Sequence, residues 1–173
     1  MADVVLNSEV LQKMSEEVAS PDGPGSSRWD GVGEHTKRVN DAVIEALRAN
    51  RGKLPAELVD LPCLILTTTG ARTGKRRTNP LTYQILEDRV LVVASMGGSV
   101  RNPPWFHNLV RNPEVTVELD GETFPARAVV TGGRDRDELF ARLAANIPTW
   151  GAYQERTARR IPVVELMRIG DPS

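Results

Sequence analysis

The residues in this chain best able to do chemistry gather in Leu61–Pro80, LPCLILTTTGARTGKRRTNP. An apolar run from Leu61 to Leu66 fades through threonines into a turn carrying Gly70, Gly74 and the cations Arg72, Lys75, Arg76 and Arg77. Glycines allow backbone amides to point inward, and guanidinium groups fork onto phosphate or carboxylate oxygens, so the turn suits an anion. The competing reading is a solvated hairpin tip, because short basic runs are weak motifs. A second candidate is Ala94-Ser95-Met96-Gly97-Gly98. Ser95 there could donate to a flat ligand lying close to backbone that lacks side chains; the competing reading is a loop that needs positive φ. A third is Asn102–Asn108, where a helix N-terminus could face an anion and Trp105 could cover a ring or simply fill the core. Trp150 and Tyr153 stand three apart on a short helical segment and face the same way. The Tyr153 phenol could donate a proton, or pack half-buried with its hydroxyl satisfied.

The common catalytic constellations are missing. There is no G-x-S-x-G, no H-E-x-x-H, no Walker A motif and no dinucleotide fingerprint between a strand and a helix. His35 and His107 fall on separate helices without metal-ligand spacing, and no metal is expected. The one cysteine, Cys63, sits inside an apolar run and reads as packing rather than as a reactive thiol. A chain with these parts could still be an enzyme if a bound organic cofactor carries the reactive atom.

The candidate residues must be positioned by a small set of elements. Residues 1–19 carry Val10, Leu11, Met14 and Val18 at helical spacing after Asn7 or Ser8. Ser20–Ser27, SPDGPGSS, reads as a linker. Residues 1–30 are therefore expected to be an arm, and 31–173 one domain. A helix is expected over Glu34–Asn50, with Val39, Val43, Ile44 and Leu47 on one stripe and Asn50-Arg51-Gly52 as its stop. Strands are expected at Leu61–Thr69, Thr78–Leu86, Val90–Ser95, Val115–Leu119, Glu122–Thr131 and Ile161–Ile169, with tight turns at Glu87-Asp88 and Asp120-Gly121. In the fifth of these, Phe124, Ala126, Ala128 and Val130 share a face, and Pro125 marks an edge or bulge. Helices are expected from Asn102 as N-cap through Trp105, Leu109 and Val110 to Asn112-Pro113, and over Asp135–Asn146 with Leu139, Phe140, Leu143 and Ala144 inward. Hairpins in series with inserted helices predict an α+β fold, an antiparallel closed or split β-barrel with peripheral helices. The regular strand–helix alternation of a doubly wound sheet is missing.

The 173 residues, 40% hydrophobic and 26% charged, suit one soluble globular domain. A net charge of −1 argues against a protein that coats nucleic acid. The N-terminus lacks the pattern of a secretory signal and no window is long and apolar enough to span a membrane, so a cytoplasmic protein is expected, with peripheral membrane contact left open.

The runs LILTTTGARTGKRRTNPL, VLVVASMGGSVRNPPWFHNLVRNPEVTVEL and IPTWGAYQERTARRIPVVEL, in this order, resemble the deazaflavin (F420)-dependent nitroreductase family, actinobacterial oxidoreductases of the split β-barrel superfamily. The resemblance spans roughly Asp41 to Leu166. It implies a site for coenzyme F420, an 8-hydroxy-5-deazaflavin with a phosphate and an oligoglutamate tail, whose charge is opposite to that of Arg72, Lys75, Arg76 and Arg77. Positions matching the family's cofactor contacts are Ala71, Arg72 and Thr73; Arg77, Thr78, Asn79, Pro80, Leu81 and Thr82; Val93, Ala94, Ser95 and Met96; and Pro104, Trp105, Phe106, His107 and Asn108. Reduced F420 would pass a hydride to quinones, activated C=C bonds or nitroaromatics, with proton delivery by Tyr153, Ser95 or water. The family's substrate pocket falls on Ile147, Trp150 and Tyr153, and a member with tyrosines at the first two positions differs from this chain there. FMN in the same barrel, a non-catalytic carrier of a deazaflavin or other planar anion, and a polyanion binder are the competing readings. The implied partner is a small-molecule hydride acceptor, and the implied assembly is a monomer or homodimer.

Overall fold

A computed structural model describes residues 34–54 and 61–170; the expected helix within 1–19, the Ser20–Ser27 linker and the arm they form lie outside them. Six strands close into an antiparallel barrel in the order β1-β2-β3-β6-β5-β4. They are β1 Cys63–Thr69, β2 Arg76–Leu86, β3 Arg89–Val93, β4 Glu114–Leu119, β5 Glu122–Val130 and β6 Val163–Arg168. The helices are α1 Glu34–Ala49, α2 Pro104–Arg111, α3 Gly133–Asn146 and α4 Pro148–Glu155, with a short 3₁₀ turn at Met96–Gly98.

Alternation along each strand sorts the apolar residues into two layers. Leu64, Leu66, Tyr83, Val92, Val117, Phe124, Ala126, Ala128, Val164 and Leu166 fill the barrel interior, and Trp105 and Leu109 of α2 join them. On the outer surface, Leu91, Val93 and Val163 pack under α3 and α4 through Leu139, Phe140, Leu143, Ile147 and Trp150. Ile65 faces outward against Val43, Ile44 and Leu47 of α1. That helix ends as expected: Arg51 and Gly52 take φ of 53° and 83°, and the Gly52 N–H returns to the Leu47 carbonyl at 2.7 Å. The same glycine meets the Asp120-Gly121 turn, where a side chain's Cβ would come within 2.7 Å of the Asp120 nitrogen.

Several expectations are corrected. β2 begins at Arg76 rather than Thr78, because Arg76 and Arg77 continue the ladder opposite Thr69 and Thr68. Pro125 is neither an edge nor a bulge, since β5 lies between β4 and β6 in unbroken register. Its carbonyl accepts from the Ile169 N–H at the end of β6, so the side where an N–H is missing faces the end of that strand. Val130 is 42% exposed, away from the buried face of Phe124, Ala126 and Ala128, because it stands at the last position of the strand.

Candidate active site

Chain direction places the expected site residues around one end of the barrel. β1 rises to Thr69, β3 rises to Val93, and both β4 and β6 begin at that same end, so the 70–75 turn, the 94–103 loop, α2 and the α4–β6 connection all meet there. The turn is closed by its own backbone. The Gly70 N–H donates to the Lys75 carbonyl at 2.8 Å, the Gly74 N–H donates to the Gly70 carbonyl at 2.9 Å, and the Lys75 N–H donates to Thr73 Oγ1 at 3.2 Å. Gly74 takes φ of 68°, and a Cβ on Gly70 would fall 2.8 Å from Thr73 Oγ1.

The four cations of this region do not act together. Arg76 lies across the outside of the barrel, donating to Thr69 Oγ1 at 3.5 Å and Thr116 Oγ1 at 2.7 Å. Arg77 points to the other face, opposite Thr68. Among the described residues, the side chains of Arg72, Lys75 and Arg77 have no hydrogen-bond or ion-pair partner, and all are exposed. They are the cations available to a ligand.

Asn108 ties this turn to α2. Its Nδ2 donates to Thr68 Oγ1 at 3.1 Å, and its Oδ1 accepts the Ala71 N–H at 3.0 Å. Asn108 therefore holds the turn from behind, with both ends of its amide engaged. Trp105 is 7% exposed within the barrel core, so it does not present a ring surface; Pro104, Phe106 and His107 occupy the first turn beside it, with Phe106 partly buried against that core. Asn102 is not the cap of α2. Pro103 holds the N-cap position without a side-chain bond, and Asn102 Oδ1 accepts from Arg159 instead.

Between β2 and β3 the barrel is open at this end. The two strands pair only from Tyr83–Leu86 to Arg89–Val92, whereas Arg76–Thr82 pair with β1 alone. β3 leaves β2 to follow β6, Val93 pairing with Val163, and the chain then turns into Ala94–Gly98. The expected contacts Thr78 to Thr82 thus lie on a strand edge unpaired among the described residues, where backbone groups are available on that side. Their side chains alternate. Thr78, Pro80 and Thr82 point outward, while Asn79 and Leu81 share the inner face with Leu66 and Leu64. Thr82 is opposite Cys63, about 16 Å down the strand from Arg77 at 3.3 Å per residue. Thr82 Oγ1 is 4.0 Å from the Cys63 sulfur, and burial pushes that thiol up from its ordinary value, in keeping with packing rather than reactivity.

The loop after β3 is bent sharply, with Met96, Gly97 and Gly98 at φ of 45°, 64° and 82°. Gly98 is indispensable there, since a Cβ would lie 2.7 Å from the Tyr153 carbonyl. Ser95 and Tyr153 are thereby brought onto adjoining segments, with Arg156 over the Tyr153 ring at 5.5 Å. Ala94 is fully buried, so it lends the site backbone only. Ile147 and Trp150, expected in a substrate pocket, are 8% and 6% exposed; they form the core behind Tyr153 rather than an open wall.

Two arginines carry structure that the sequence patterns do not single out. Arg136 is buried and donates to the Ile161 carbonyl and Gln154 Oε1. Arg159 reaches back to the 94–102 loop, as described below. Their acceptors are mostly backbone carbonyls far away in the chain, which leave no trace in residue type or spacing.

A closed antiparallel barrel that opens between two strands at one end is a split barrel, the fold shared with F420-dependent reductases. The chain belongs to the F420H(2)-dependent quinone reductase family, whose sequence profile matches residues 38–167. It is 39% identical over 150 residues to an F420H(2)-dependent quinone reductase of Mycobacterium tuberculosis (strain ATCC 25618 / H37Rv), covering 82% of this chain and 97% of that one. A solved F420-H2 dependent reductase (FDR-A) is 33% identical with a TM-score of 0.56, over 61% of this chain and 93% of the other. A second solved structure, a domain-swapped dimer, is 30% identical with a TM-score of 0.58, over 81% and 99%. The protein is accordingly an oxidoreductase with coenzyme F420 as its cofactor, which decides against FMN and against a mere carrier. The residues fit such a group: exposed cations that have no partner among the described residues suit its anionic tail, and a strand edge unpaired among them suits a flat, polar-rimmed ring. Among the described residues no cluster of side chains could hold a metal ion, and no helix is long and apolar enough to cross a membrane.

Proposed function

We propose that this chain reduces quinones with F420H2, binding the anionic tail at Arg72, Lys75 and Arg77 and the ring between the Arg76–Thr82 edge and the Ser95–Gly98 loop. The observation that carries this reading is the meeting of a β2 edge and three exposed cations, all unpartnered among the described residues, at one end of the barrel. When bound, the reduced deazaflavin supplies a hydride, and the protein supplies binding, orientation and electrostatics.

Each part of the wall has a distinct task. Arg72, Lys75 and Arg77 make charge-assisted hydrogen bonds to carboxylates or phosphate; being exposed, each contributes about 1 kcal/mol or less, so the clamp depends on their number. The free backbone groups of β2 hydrogen-bond the polar rim of the ring, much as they would an added strand. Met96 borders the ring on the opposite side and the Ser95 hydroxyl orients it, while the Val93 side chain, buried under α3 and α4, lends that wall backbone only. Tyr153 donates a proton to the acceptor oxygen as charge develops there. Ile147 and Trp150 keep the Tyr153 helix in place. Enones and nitroaromatics are further acceptors open to the same hydride and proton delivery.

Titrating the protein with oxidised F420, FMN and NADPH by fluorescence, then following oxidation of F420H2 with menaquinone, cyclohexenone and a nitroaromatic, tests the reading. Micromolar F420 binding that weakens with salt, and turnover led by the quinone, are expected. Equal affinity for F420 and FMN would overturn the tail assignment, and binding without quinone turnover would overturn the acceptor. Unchanged turnover of Tyr153→Phe across pH would remove Tyr153 from proton delivery.

A further inference from the structure

We propose that Arg159 is the positioning residue of the hydride-transfer end, clamping the 94–102 loop so that Ser95 and the Met96–Gly98 bend keep one geometry. The proposal rests on the reading of that loop as the ring-binding end. Arg159 lies in the segment between α4 and β6, and its guanidinium is spent entirely on the loop. Nε donates to the Ser99 carbonyl at 2.6 Å, Nη1 to Asn102 Oδ1 at 2.7 Å, and Nη2 to the Ser95 carbonyl at 2.7 Å and the Ala94 carbonyl at 3.2 Å. These acceptors lie between 57 and 65 residues away in the chain, so one side chain fixes both ends of the loop onto a separate element.

The loop needs such a clamp. Met96 at φ of 45° is a residue with a Cβ held in the left-handed region, followed by two glycines also at positive φ. The Ala94 N–H donates to the Pro162 carbonyl at 3.0 Å, but beyond it the loop's own turn bonds are short-range, the Gly98 N–H to the Ser95 carbonyl and the Ser99 N–H to the Met96 carbonyl. Arg159 is itself held. Gln154 Nε2 donates to the Arg159 carbonyl at 2.7 Å, and Gln154 Oε1 accepts from Arg136 and from the Ile161 N–H. The brace thus runs from α3 through α4 to the loop. No carboxylate pairs with Arg159 among the described residues, and its removal from water, without an anion to offset it, lowers its pKa. An ordinary structural arginine would have an acid beside it. This one puts a half-buried positive charge behind backbone carbonyls, next to Ser95.

A planar guanidinium serves several acceptors at fixed angles, which a lysine ammonium cannot do. Arg159→Met should therefore leave the tail clamp intact and loosen the ring end. In the cofactor-free protein, amide exchange at Gly98 and Ser99 should speed up by about tenfold or more while β1 and β5 keep wild-type protection. In the loaded enzyme, kcat for quinone reduction should fall by about 10–100-fold, the scale set by a misplacement of an ångström or less. F420 affinity should stay near wild type, the reverse of Arg77→Ala. Arg159→Lys should recover part of the loss, and guanidinium added to Arg159→Gly should recover more than an equal concentration of ammonium.

Loop exchange at the wild-type rate overturns the clamp, whether or not the protein reduces quinones. Faster exchange with unchanged kcat overturns its role in positioning. Should Arg159→Met fail to fold, Asn102→Ala removes just one of the acceptors, and the same exchange and kcat changes, smaller in size, are expected; wild-type values for both overturn the proposal. Failure of wild type to bind F420 would refute the function proposed above, while the exchange measurement would still decide the clamp.

Discussion

Replacing Asn108 tests how far the anion turn depends on support from α2. In Asn108→Ala the Ala71 N–H loses its acceptor but is exposed and can turn to water, whereas Thr68 Oγ1 is left fully buried without its donor. Losing a hydrogen bond of about 1 kcal/mol and stranding a buried hydroxyl at about 1–3 kcal/mol gives a total near 3 kcal/mol. For a domain of this size that lowers Tm by about 6–12 °C. Asn108→Asp separates support from charge. Its carboxylate accepts from both the Ala71 N–H and the Thr68 hydroxyl, so Tm should fall by no more than about 3 °C, a loss under about 1 kcal/mol. It also sets a negative charge beside Arg72, Lys75 and Arg77. Repulsion of about 1–2 kcal/mol from an anionic tail would weaken F420 binding about 5–30-fold at low salt, and the effect should shrink as salt is added. Calorimetry and fluorescence titration at two ionic strengths read both effects. Wild-type Tm in Asn108→Ala, or wild-type salt-insensitive affinity in Asn108→Asp, would refute the reasoning.

Arg136→Met should cost about 2–4 kcal/mol, because the Ile161 carbonyl and Gln154 Oε1 lose a buried donor and Phe140 loses a cation stacked at 4.4 Å. Urea denaturation should show a lower midpoint with an unchanged m-value. Burial raises the pKa of Cys63 and of Tyr83, the latter with help from Asp120 and Cys63, so the folded chain holds these protons longer than the unfolded one. Their contribution is complete at neutral pH and is lost as pH climbs from the ordinary thiol range, about 8–9, through the raised folded values. Urea midpoints measured from pH 7 to 10 should therefore fall, and fall less steeply in Cys63→Ser.

The barrel was legible because its strands alternate and its turns are locally encoded. Asp120-Gly121 takes the left-handed conformation that such a pair favours, and the Leu64–Leu66 run is buried on both faces because α1 covers Ile65 while the interior takes its neighbours. The split between β2 and β3 was not legible. It depends on where β3 abandons one partner for another at Val93, and nothing in VLVVAS marks the change. For the same reason Thr78 to Thr82 could be matched to cofactor contacts, yet not recognised as an open edge. The cations were legible as a group but not in their division, because a two-residue shift in the start of β2 decides that Arg76 and Arg77 face opposite ways. The proline pair before α2 marked its start but drew attention to the wrong cap, since Asn102 is recruited by Arg159, 57 residues further along the chain. Ile147 and Trp150 were matched to a substrate pocket by resemblance alone, and nothing local marks that they pack with Leu91, Val93 and Val163 on the outside of the barrel.

The open stretch of β2 also bears on the protein before any ligand arrives. An unpaired strand edge is a template onto which another chain can add, and natural proteins protect such edges with charge and proline. Here the edge begins with Arg76 and Arg77 and contains Pro80, which has no N–H to donate. Two copies approaching edge to edge in parallel would bring like charges together, and in either direction they would meet a gap in the ladder at Pro80. Arg76 and Arg77 thus work against self-association through this edge. Replacing both arginines with threonine or valine would favour clumping of the empty enzyme as well as weakening its hold on the cofactor.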